Sequence, residues 1–133
     1  MQQVVVYCDG GSRGNPGPSA LGVVIKTTKG EVISQIGEFL GTQTNNYAEY
    51  MAVVRAMEYL KEKSIKSAQF YLDSQLVVRQ LNGEYKIKSD NIKHLNQKVN
   101  ELRADIDVSF EHVYRENNKE ADAEVNKVLD SLQ

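Results

Sequence analysis

Apolar and polar residues follow two rhythms along the chain, one typical of β-strands and one typical of helices. The first apolar segment is apolar at nearly every position, which predicts a strand buried on both faces of a sheet. The next two segments are joined by a tight turn around Lys29-Gly30, so the first three strands are predicted to form an antiparallel meander. The predicted strands are 3–9, 20–27, 31–40, 68–72 and 106–114.

Helical spacing of apolar residues follows the third strand and recurs three more times. The first helix is predicted to run to about Lys63, and the last is expected to bury Val125 and Leu132. Short polar residues that can accept a hydrogen bond from the first helical turn precede each helix. These candidate caps are Asn45 or Asn46, Ser74, Ser89 or Asp90, and Asn117 or Asn118.

The element order β-β-β-α-β-α-α-β-α predicts an α/β fold. It contains a five-stranded mixed sheet, made of an antiparallel three-strand meander plus two parallel strands, with helices on both faces. Right-handed helical crossovers would bring the two later strands into the sheet. A chain of 133 residues is long enough for one domain, here 1–133, with its own core. Its 41% apolar and 26% charged residues exclude a disordered chain.

Charge and cysteine content indicate the cellular environment but do not identify a binding partner. The net charge of −2 lacks the basic surplus of many nucleic-acid binders, and it neither supports nor excludes such a partner. The single Cys8 cannot form an internal disulfide, and no Cys/His cluster has zinc spacing. No segment approaches the roughly 20 apolar residues that span a bilayer. We therefore expect a cytoplasmic, reducing environment, no membrane partner and a monomer.

Four acidic residues in largely neutral or apolar surroundings are the main candidates for chemistry. Asp9 and Asp73 end predicted strands, whereas Glu49 and Asp122 lie near helix starts on stripes that face the body of the protein. Ordinary charged side chains seek solvated faces. Carboxylates that a fold gathers together repel one another unless hard divalent cations neutralise them. The pattern therefore predicts metal-dependent chemistry on phosphates.

The segments around these acids resemble the four motifs of type 1 ribonuclease H. Any one of them alone occurs often by chance, but all four are present in the family's order and cover almost the whole chain. The resemblance implies an RNase H-like fold. The motifs are Tyr7-Cys8-Asp9-Gly10-Gly11-Ser12-Arg13-Gly14-Asn15-Pro16-Gly17, Thr44-Asn45-Asn46-Tyr47-Ala48-Glu49, Asp73-Ser74-Gln75 and Asn117-Asn118-Lys119-Glu120-Ala121-Asp122.

By this resemblance the chain is an endonuclease that hydrolyses the RNA strand of RNA–DNA hybrids with two Mg²⁺ or Mn²⁺ ions. The products would carry 5′-phosphate and 3′-hydroxyl ends. Catalysis and metal binding are assigned to the four acids: Asp9 would bridge both ions, and Asp122 would help to hold the ion that orients the water. Glu49 and Asp73 would complete the other metal site. An oxygen-only donor set favours these ions over zinc.

Distinguishing RNA from DNA requires contacts with the 2′-hydroxyl. We expect Thr44 to hold a phosphate of the DNA strand, as its counterpart does in the family, and Arg13 to assist. Plainer roles are also open: helix capping for Asn45, a solvated loop position for Arg13, and turn geometry for the glycines. The candidate substrate-binding residues are Gly10, Gly11, Asn15, Thr44, Asn45 and Gln75.

The chain departs from the family after the predicted fifth strand. Many bacterial members carry a mobile histidine there on a long loop, but only Arg115, Glu116 and Asn117 follow Tyr114 before the last capping region. Arg115 or Glu116 is a candidate to take over its role. The segment 83–91 is either a short version of the family's basic protrusion or a solvated linker.

Other functions remain open at this point. A nuclease of the same fold could also cleave double-stranded RNA, or serve the reverse transcription of a mobile element. The chain could instead be a non-catalytic nucleic-acid-binding module, or a structural domain whose acids are capping and surface charges. Interaction with helix N-termini would explain Asp73 and Asp122 but not Asp9 or Glu49.

Overall fold

The computed structural model describes residues 3–132 and confirms the predicted order of the main elements. Single 3₁₀ turns at Arg103–Asp105 and Arg115–Asn117 flank the fifth strand. Within the described residues, no helix combines the length and the apolar character needed to cross a membrane. The elements are β1 (Val4–Ser12), β2 (Gly17–Thr27), β3 (Val32–Gln43), α1 (Asn45–Glu62), β4 (Ser67–Leu72), α2 (Gln75–Leu81), α3 (Asp90–Leu102), β5 (Asp107–His112) and α4 (Lys119–Asp130).

The strands form one five-stranded sheet in the order β3-β2-β1-β4-β5. The β1–β2 and β2–β3 pairs are antiparallel, whereas β1–β4 and β4–β5 are parallel. This arrangement confirms the predicted meander with two added parallel strands. It also makes β1 the central strand, which explains why segment 3–9 is apolar at nearly every position.

The two faces of the sheet carry cores of unequal size. On one face α1 packs on β1 and β2, α3 packs against α1, and the core includes Val6, Cys8 and Tyr50. On the other face α4 lies across β1, β2 and β3, with Val125 and Leu129 near Ala20 in a small cluster. Helices on both faces are therefore confirmed.

Two glycines let helices approach the sheet more closely than a side chain would allow. A Cβ at Gly10 would lie 2.2 Å from the Ala48 carbonyl carbon, so the first turn of α1 rests directly on β1. A Cβ at Gly22 would lie 2.3 Å from the Ala121 carbonyl oxygen, so the first turn of α4 rests directly on β2. Gly22 is the cross-strand partner of Asp9. Two helices therefore begin on opposite sides of Asp9.

Strands β1 and β2 extend further into the glycine-rich segment than the hydrophobic pattern predicts. Gly10 pairs with Leu21 and Ser12 with Ser19, which leaves only 13–16 as the connection. The predicted strands 3–9 and 20–27 leave the glycine-rich segment 10–18 as a turn-rich loop, and this prediction is wrong for most of the segment. Glycines contribute no side-chain alternation, so their pairing through the backbone leaves no signal in the pattern.

The ends of two helices also differ from the prediction. Leu132 was expected to be buried but is 50% exposed, because α4 ends at Asp130. Thr44, and neither Asn45 nor Asn46, supplies the side-chain cap of α1. The predicted caps Ser74 and Ser89 are confirmed for α2 and α3.

We expect Gly22→Ala to destabilise the protein more than Gly37→Ala. Gly37 pairs with Gly22 under the same helix, but its Cβ would come closest to the Val128 side chain, at 2.9 Å, and the nearest backbone atom, the Glu124 carbonyl oxygen, would be 3.3 Å away. Relief of the Gly22 clash requires α4 to move, so we expect a loss of about 3 kcal/mol in the free energy of unfolding, against about 1 kcal/mol for Gly37→Ala. Urea denaturation measures the free energy of unfolding of both variants. Equal losses would contradict the explanation that Gly22 lets the backbone of α4 pack directly on β2.

Candidate active site

The ends of two parallel strands bring the first two acids together. In the β1–β4 pair, Cys8 lies opposite Leu72, and this is the last pair of the register. Asp9 follows Cys8 directly, and Asp73 follows Leu72. Because the carboxyl ends of parallel strands meet at one edge of the sheet, the two acids lie side by side where α/β folds commonly place their sites.

Glu49 joins this pair from the first turn of α1. The absence of a side chain on Gly10 allows that turn to rest on β1, and the Gly10 N–H donates a hydrogen bond to Glu49 Oε1 at 2.9 Å. Asp9, Glu49 and Asp73 each place a carboxylate oxygen within 4.8 Å of the other two. Three of the four predicted acids therefore form one cluster.

Burial makes this cluster electrostatically unfavourable. Asp9 is 5% exposed and Glu49 is 4% exposed. Burial raises the pKa of Asp9 to about 7, and the charges of Asp73 and Asp122 add to the rise, while a hydrogen bond with Glu49 opposes it. Burial also raises the pKa of Glu49 well above its usual value, with the charge of Asp9 as the next cause. The clustered carboxyls therefore resist ionisation in the absence of a cation.

The donor set fits hard divalent cations. Within residues 3–132, no ion pair joins Asp9, Glu49 or Asp73 to a basic side chain. Glu49 Oε2 is buried without a hydrogen-bond partner in that part of the chain. Carboxylate oxygens without a countercharge are the ligands that Mg²⁺, Mn²⁺ and Ca²⁺ prefer. The orphaned oxygen of Glu49 is the clearest sign that the cluster is built for a cation.

Asp122 lies beside the cluster but is set apart from it. It is in the first turn of α4, and its carboxylate is not among the three that lie within 4.8 Å of one another. Its charge nevertheless contributes to the raised pKa of Asp9. Asp122 Oδ2 accepts a hydrogen bond from Asn126 Nδ2 at 3.3 Å. The fourth acid therefore reaches the same site from the opposite face of the sheet.

An open cleft of about 470 Å³ exposes these acids to solvent, and all four line it. Part of the predicted substrate-binding and auxiliary set lies in the cleft wall and part lies outside it. The residues in the wall are Gly10, Gly11, Arg13, Asn45 and Arg115. The residues outside the wall are Asn15, Thr44, Gln75 and Glu116.

Asn15 and Thr44 lie outside the cleft wall but hold Asn45, which lies in it. Asn15 is hydrogen-bonded to Asn45, and Thr44 caps the helix that begins at Asn45. The Ser12 N–H donates to Asn45 Oδ1 at 2.8 Å, and the Asn45 N–H donates to Asn15 Oδ1 at 3.0 Å. Thr44 Oγ1 accepts from the Tyr47 N–H at 3.2 Å and caps α1. The alternative role of Asn45 as the helix cap is therefore wrong. Its side chain instead ties the start of α1 to the glycine-rich segment.

The basic residues near the cleft differ in their surroundings. Arg13 Nη2 lies 2.6 Å from Asp130 Oδ1, an exposed ion pair at the cleft edge. Arg115 lines the cleft, whereas the neighbouring Glu116 lines a separate pocket of about 150 Å³. Gln75 is the exposed first residue of α2. Arg115 is therefore better placed than Glu116 to reach a substrate in the cleft.

Two asparagines that contact the acids were not predicted as site residues. Asn126 lies four residues after Asp122 on one helix, and this i,i+4 spacing could have indicated the contact. Asn118, considered only as a helix cap, donates from Nδ2 to Asp73 Oδ2 at 3.3 Å. Forty-five residues separate Asn118 from Asp73, so no local pattern could have indicated this second contact.

The sequence matches known proteins over most of its length. A model of the reverse transcriptase-like family matches residues 7–128. The ribonuclease HI of Halobacterium salinarum is 37% identical over 129 residues, which cover 96% of this chain and 65% of that protein. The bifunctional protein Rv2228c of Mycobacterium tuberculosis is 33% identical over 97% of this chain and 36% of its own length. The ribonuclease H of Polynucleobacter asymbioticus is 32% identical over 97% of this chain and 91% of its own length.

Solved structures agree with these matches. The crystal structure of RNase H1 from Halobacterium salinarum superposes with a TM-score of 0.93 at 37% identity, over 97% of this chain and 98% of the crystallised one. LC11-RNase H1, solved in complex with an RNA/DNA hybrid, superposes with a TM-score of 0.92 at 36% identity, over 98% and 99% of the two chains. The chain thus spans under two thirds of some relatives and nearly all of others. The strand order, the clustered acids and these matches place the chain in the type 1 ribonuclease H family.

Proposed function

We propose that this protein is a metal-dependent endoribonuclease that hydrolyses the RNA strand of RNA–DNA hybrids. The observation that carries the proposal is the set of three carboxylates within 4.8 Å, two of them buried, which line a cleft and have no ion-pair partner within residues 3–132. Family membership supplies the reaction, because relatives of similar sequence are named ribonuclease H and one was crystallised with an RNA/DNA hybrid.

Each of the four acids would serve as a ligand to a cation. As the family resemblance implies, Asp9 would contribute to holding both ions, with Glu49 and Asp73 completing one site and Asp122 the other. Two Mg²⁺ or Mn²⁺ ions, when bound, supply an activated water and compensate the charge that develops on the scissile phosphate. Products with 5′-phosphate and 3′-hydroxyl ends follow from the attack of water on phosphorus with loss of the 3′ oxygen.

The protein must also keep these carboxyls ionised. The pKa of Asp9 is about 7 without a cation, and a bound dication would lower it. Asp9 and Glu49 therefore have to lose their protons as the site is loaded, and metal affinity should increase with pH. Because Asp9 and Glu49 are largely buried, their carboxylates attract a cation that enters from the cleft more strongly than exposed carboxylates would.

Recognition of the RNA strand falls to the cleft wall. Asn45 and the backbone of Gly10 and Gly11 line the cleft beside the acids and suit contacts with a 2′-hydroxyl. Asn15 would act through Asn45, to which it is hydrogen-bonded. Gln75, exposed at the start of α2 next to the cleft residue Ser74, would reach the minor groove from the other side.

Recognition of the DNA strand falls to Thr44, directly before α1, and to the segment after α2. Thr44 Oγ1 accepts the capping hydrogen bond, and its hydroxyl hydrogen remains to donate to a phosphate. A second groove of about 300 Å³ is lined in part by Lys86 and Lys88 and shares Asn46 with the cleft. The shared residue makes the two depressions neighbours, as a bound duplex would require.

All four acids come from one chain, so the site needs no residue from a second copy. We propose that residues 1–133 act as one catalytic domain and as a monomer. One sheet with a core on each face, joined across β1, is consistent with a single folding unit.

We expect Asp9→Asn to reduce hybrid cleavage by about 10²-fold or more, because it removes one of the charges that hold the cations. The assay uses labelled RNA–DNA hybrid, double-stranded RNA and single-stranded RNA with Mg²⁺, Mn²⁺ or chelator. Asp107→Asn, at the exposed start of β5, is the matched control and should retain wild-type turnover. Hybrid binding without cleavage would overturn the proposal, and equal cleavage of double-stranded RNA would broaden the substrate class.

We expect the metal-free protein to lose stability as the pH rises from about 4 to about 7. The pKa of Asp9 is raised from 3.8 to about 7 on folding, so its ionisation opposes folding above that window and is without effect below it. At pH 8 without metal, Asp9→Asn should therefore be more stable than wild type by on the order of 1 to 3 kcal/mol. Urea denaturation at pH 5 and pH 8 measures the difference, and Mg²⁺ should reverse it. A variant that is less stable than wild type at pH 8 without metal would refute this expectation.

We expect Arg115→Ala to lower turnover about tenfold, the loss of one charge-assisted hydrogen bond to the substrate. Glu116→Ala should leave turnover unchanged, because Glu116 does not line the cleft. Steady-state rates on the hybrid compare the two neighbours directly. Wild-type turnover in both variants would assign the missing histidine's role to neither residue.

A further inference from the structure

Asn118 lies at the junction of three elements that carry acids of the cleft, and it is 1% exposed. Its Nδ2 donates to the Cys8 carbonyl at 2.9 Å and to Asp73 Oδ2 at 3.3 Å. Its backbone carbonyl accepts from the Asp122 N–H at 3.1 Å. Because Cys8 directly precedes Asp9, this one residue is bonded to β1 next to Asp9, to the carboxylate of Asp73 and to the backbone of Asp122.

The orientation of the amide follows from its partners. A backbone carbonyl and an ionised carboxylate can only accept hydrogen bonds, so the NH₂ group of Asn118 must face both of them. The Cys8 carbonyl lies where the β1–β4 register ends, at the pair of Cys8 with Leu72. The amide therefore bridges the two strands at the point where Asp9 and Asp73 leave the ladder.

Helix capping does not account for this residue. Asn118 occupies the N-cap position of α4, where an asparagine side chain ordinarily accepts a hydrogen bond from the first helical turn, yet it makes no capping bond. Its Oδ1 is buried without a partner among the described residues. The side chain leaves both the helix end and its own oxygen unsatisfied in order to donate to Cys8 and Asp73.

We propose that Asn118 is a positioning residue for the hydrolytic site: it fixes the Asp73 carboxylate relative to Asp9 and Asp122, and so sets the spacing of the oxygens that hold the cations. The inference rests on the proposed function, because it assigns those oxygens to metal binding. Asn118 acts through the acids and touches neither the cleft surface nor the cations. Partners that orient metal ligands typically change metal affinity or activity by 10- to 100-fold when they are removed.

The test compares Asn118→Ala and Asn118→Leu with wild type. Calorimetry without nucleic acid measures the binding of Mg²⁺ and Mn²⁺, and steady-state cleavage of the hybrid gives kcat, KM and the half-saturating Mg²⁺ concentration. For both variants we expect metal affinity about 10- to 100-fold weaker and a matching rise in the half-saturating Mg²⁺ concentration. The KM for the hybrid at saturating Mg²⁺ should stay close to wild type. Asn118→Leu keeps a side chain of similar size and adds no charge but cannot donate, so it separates the loss of the hydrogen bonds from the loss of volume.

Asn82→Ala is the matched control. Asn82 follows α2, and its Nδ2 donates to the Phe110 carbonyl at 3.2 Å, so it also joins a helix end to a strand, but away from the cleft. Its removal should lower the melting temperature without changing the Mg²⁺ dependence. An equal weakening of metal binding in Asn82→Ala would make the effect a general consequence of destabilisation and would overturn the proposal.

The remaining outcomes separate this inference from the proposed function. If the wild-type protein cleaves no hybrid with any metal, the proposed function is wrong, whatever the Asn118 variants show. An active wild type whose Asn118 variants bind Mg²⁺ and turn over normally refutes the positioning role alone. Failure of both Asn118 variants to fold would make the residue a determinant of stability and would also refute that role.

Discussion

The close approach of two helix starts to the paired strands β1 and β2 is the constraint on which this site depends. Gly10 under α1 and Gly22 under α4 provide the space. Within residues 3–132, the carboxylates gathered there form no ion pair with a basic side chain. Burial raises the pKa of Asp9 to about 7, and the charges of Asp73 and Asp122 add to the rise.

A layer of amides around the acids offsets this unfavourable arrangement. Asn15 and Asn45 lock the glycine-rich segment to the start of α1, while Asn118 joins the ends of β1 and β4 to the start of α4. None of these contacts adds charge. These neutral amides, Asn15 and Asn45 as acceptors and Asn118 as a donor, hold the backbone in place without supplying the countercharge that would make a cation unnecessary. The site can therefore be rigid and still lack the positive charge that a cation would supply.

The fold was largely predictable because its signals are local. Apolar runs gave the strands, Ser74 and Ser89 marked helix starts, and the order of elements indicated the mixed sheet. The four acids could be selected because a charge among apolar residues is conspicuous. What the sequence concealed is carried by backbone or by distant pairs. Gly10 extends β1 without a side chain, and Thr44 could be recognised as the cap of α1 only from the geometry of the turn.

The hydrogen bond between Asn118 and the Cys8 carbonyl spans 110 residues, and this separation has a consequence for biosynthesis. Domains form during translation as the chain emerges from the ribosome, starting from its N-terminal part. Strands β1 to β4 can pair early, but α4 reaches the sheet only after the residues that follow β5 have been made. A nascent chain that has not yet reached α4 lacks both Asn118 and Asp122, so one acid of the cleft and the amide that joins β1 to Asp73 arrive together, after the other three acids.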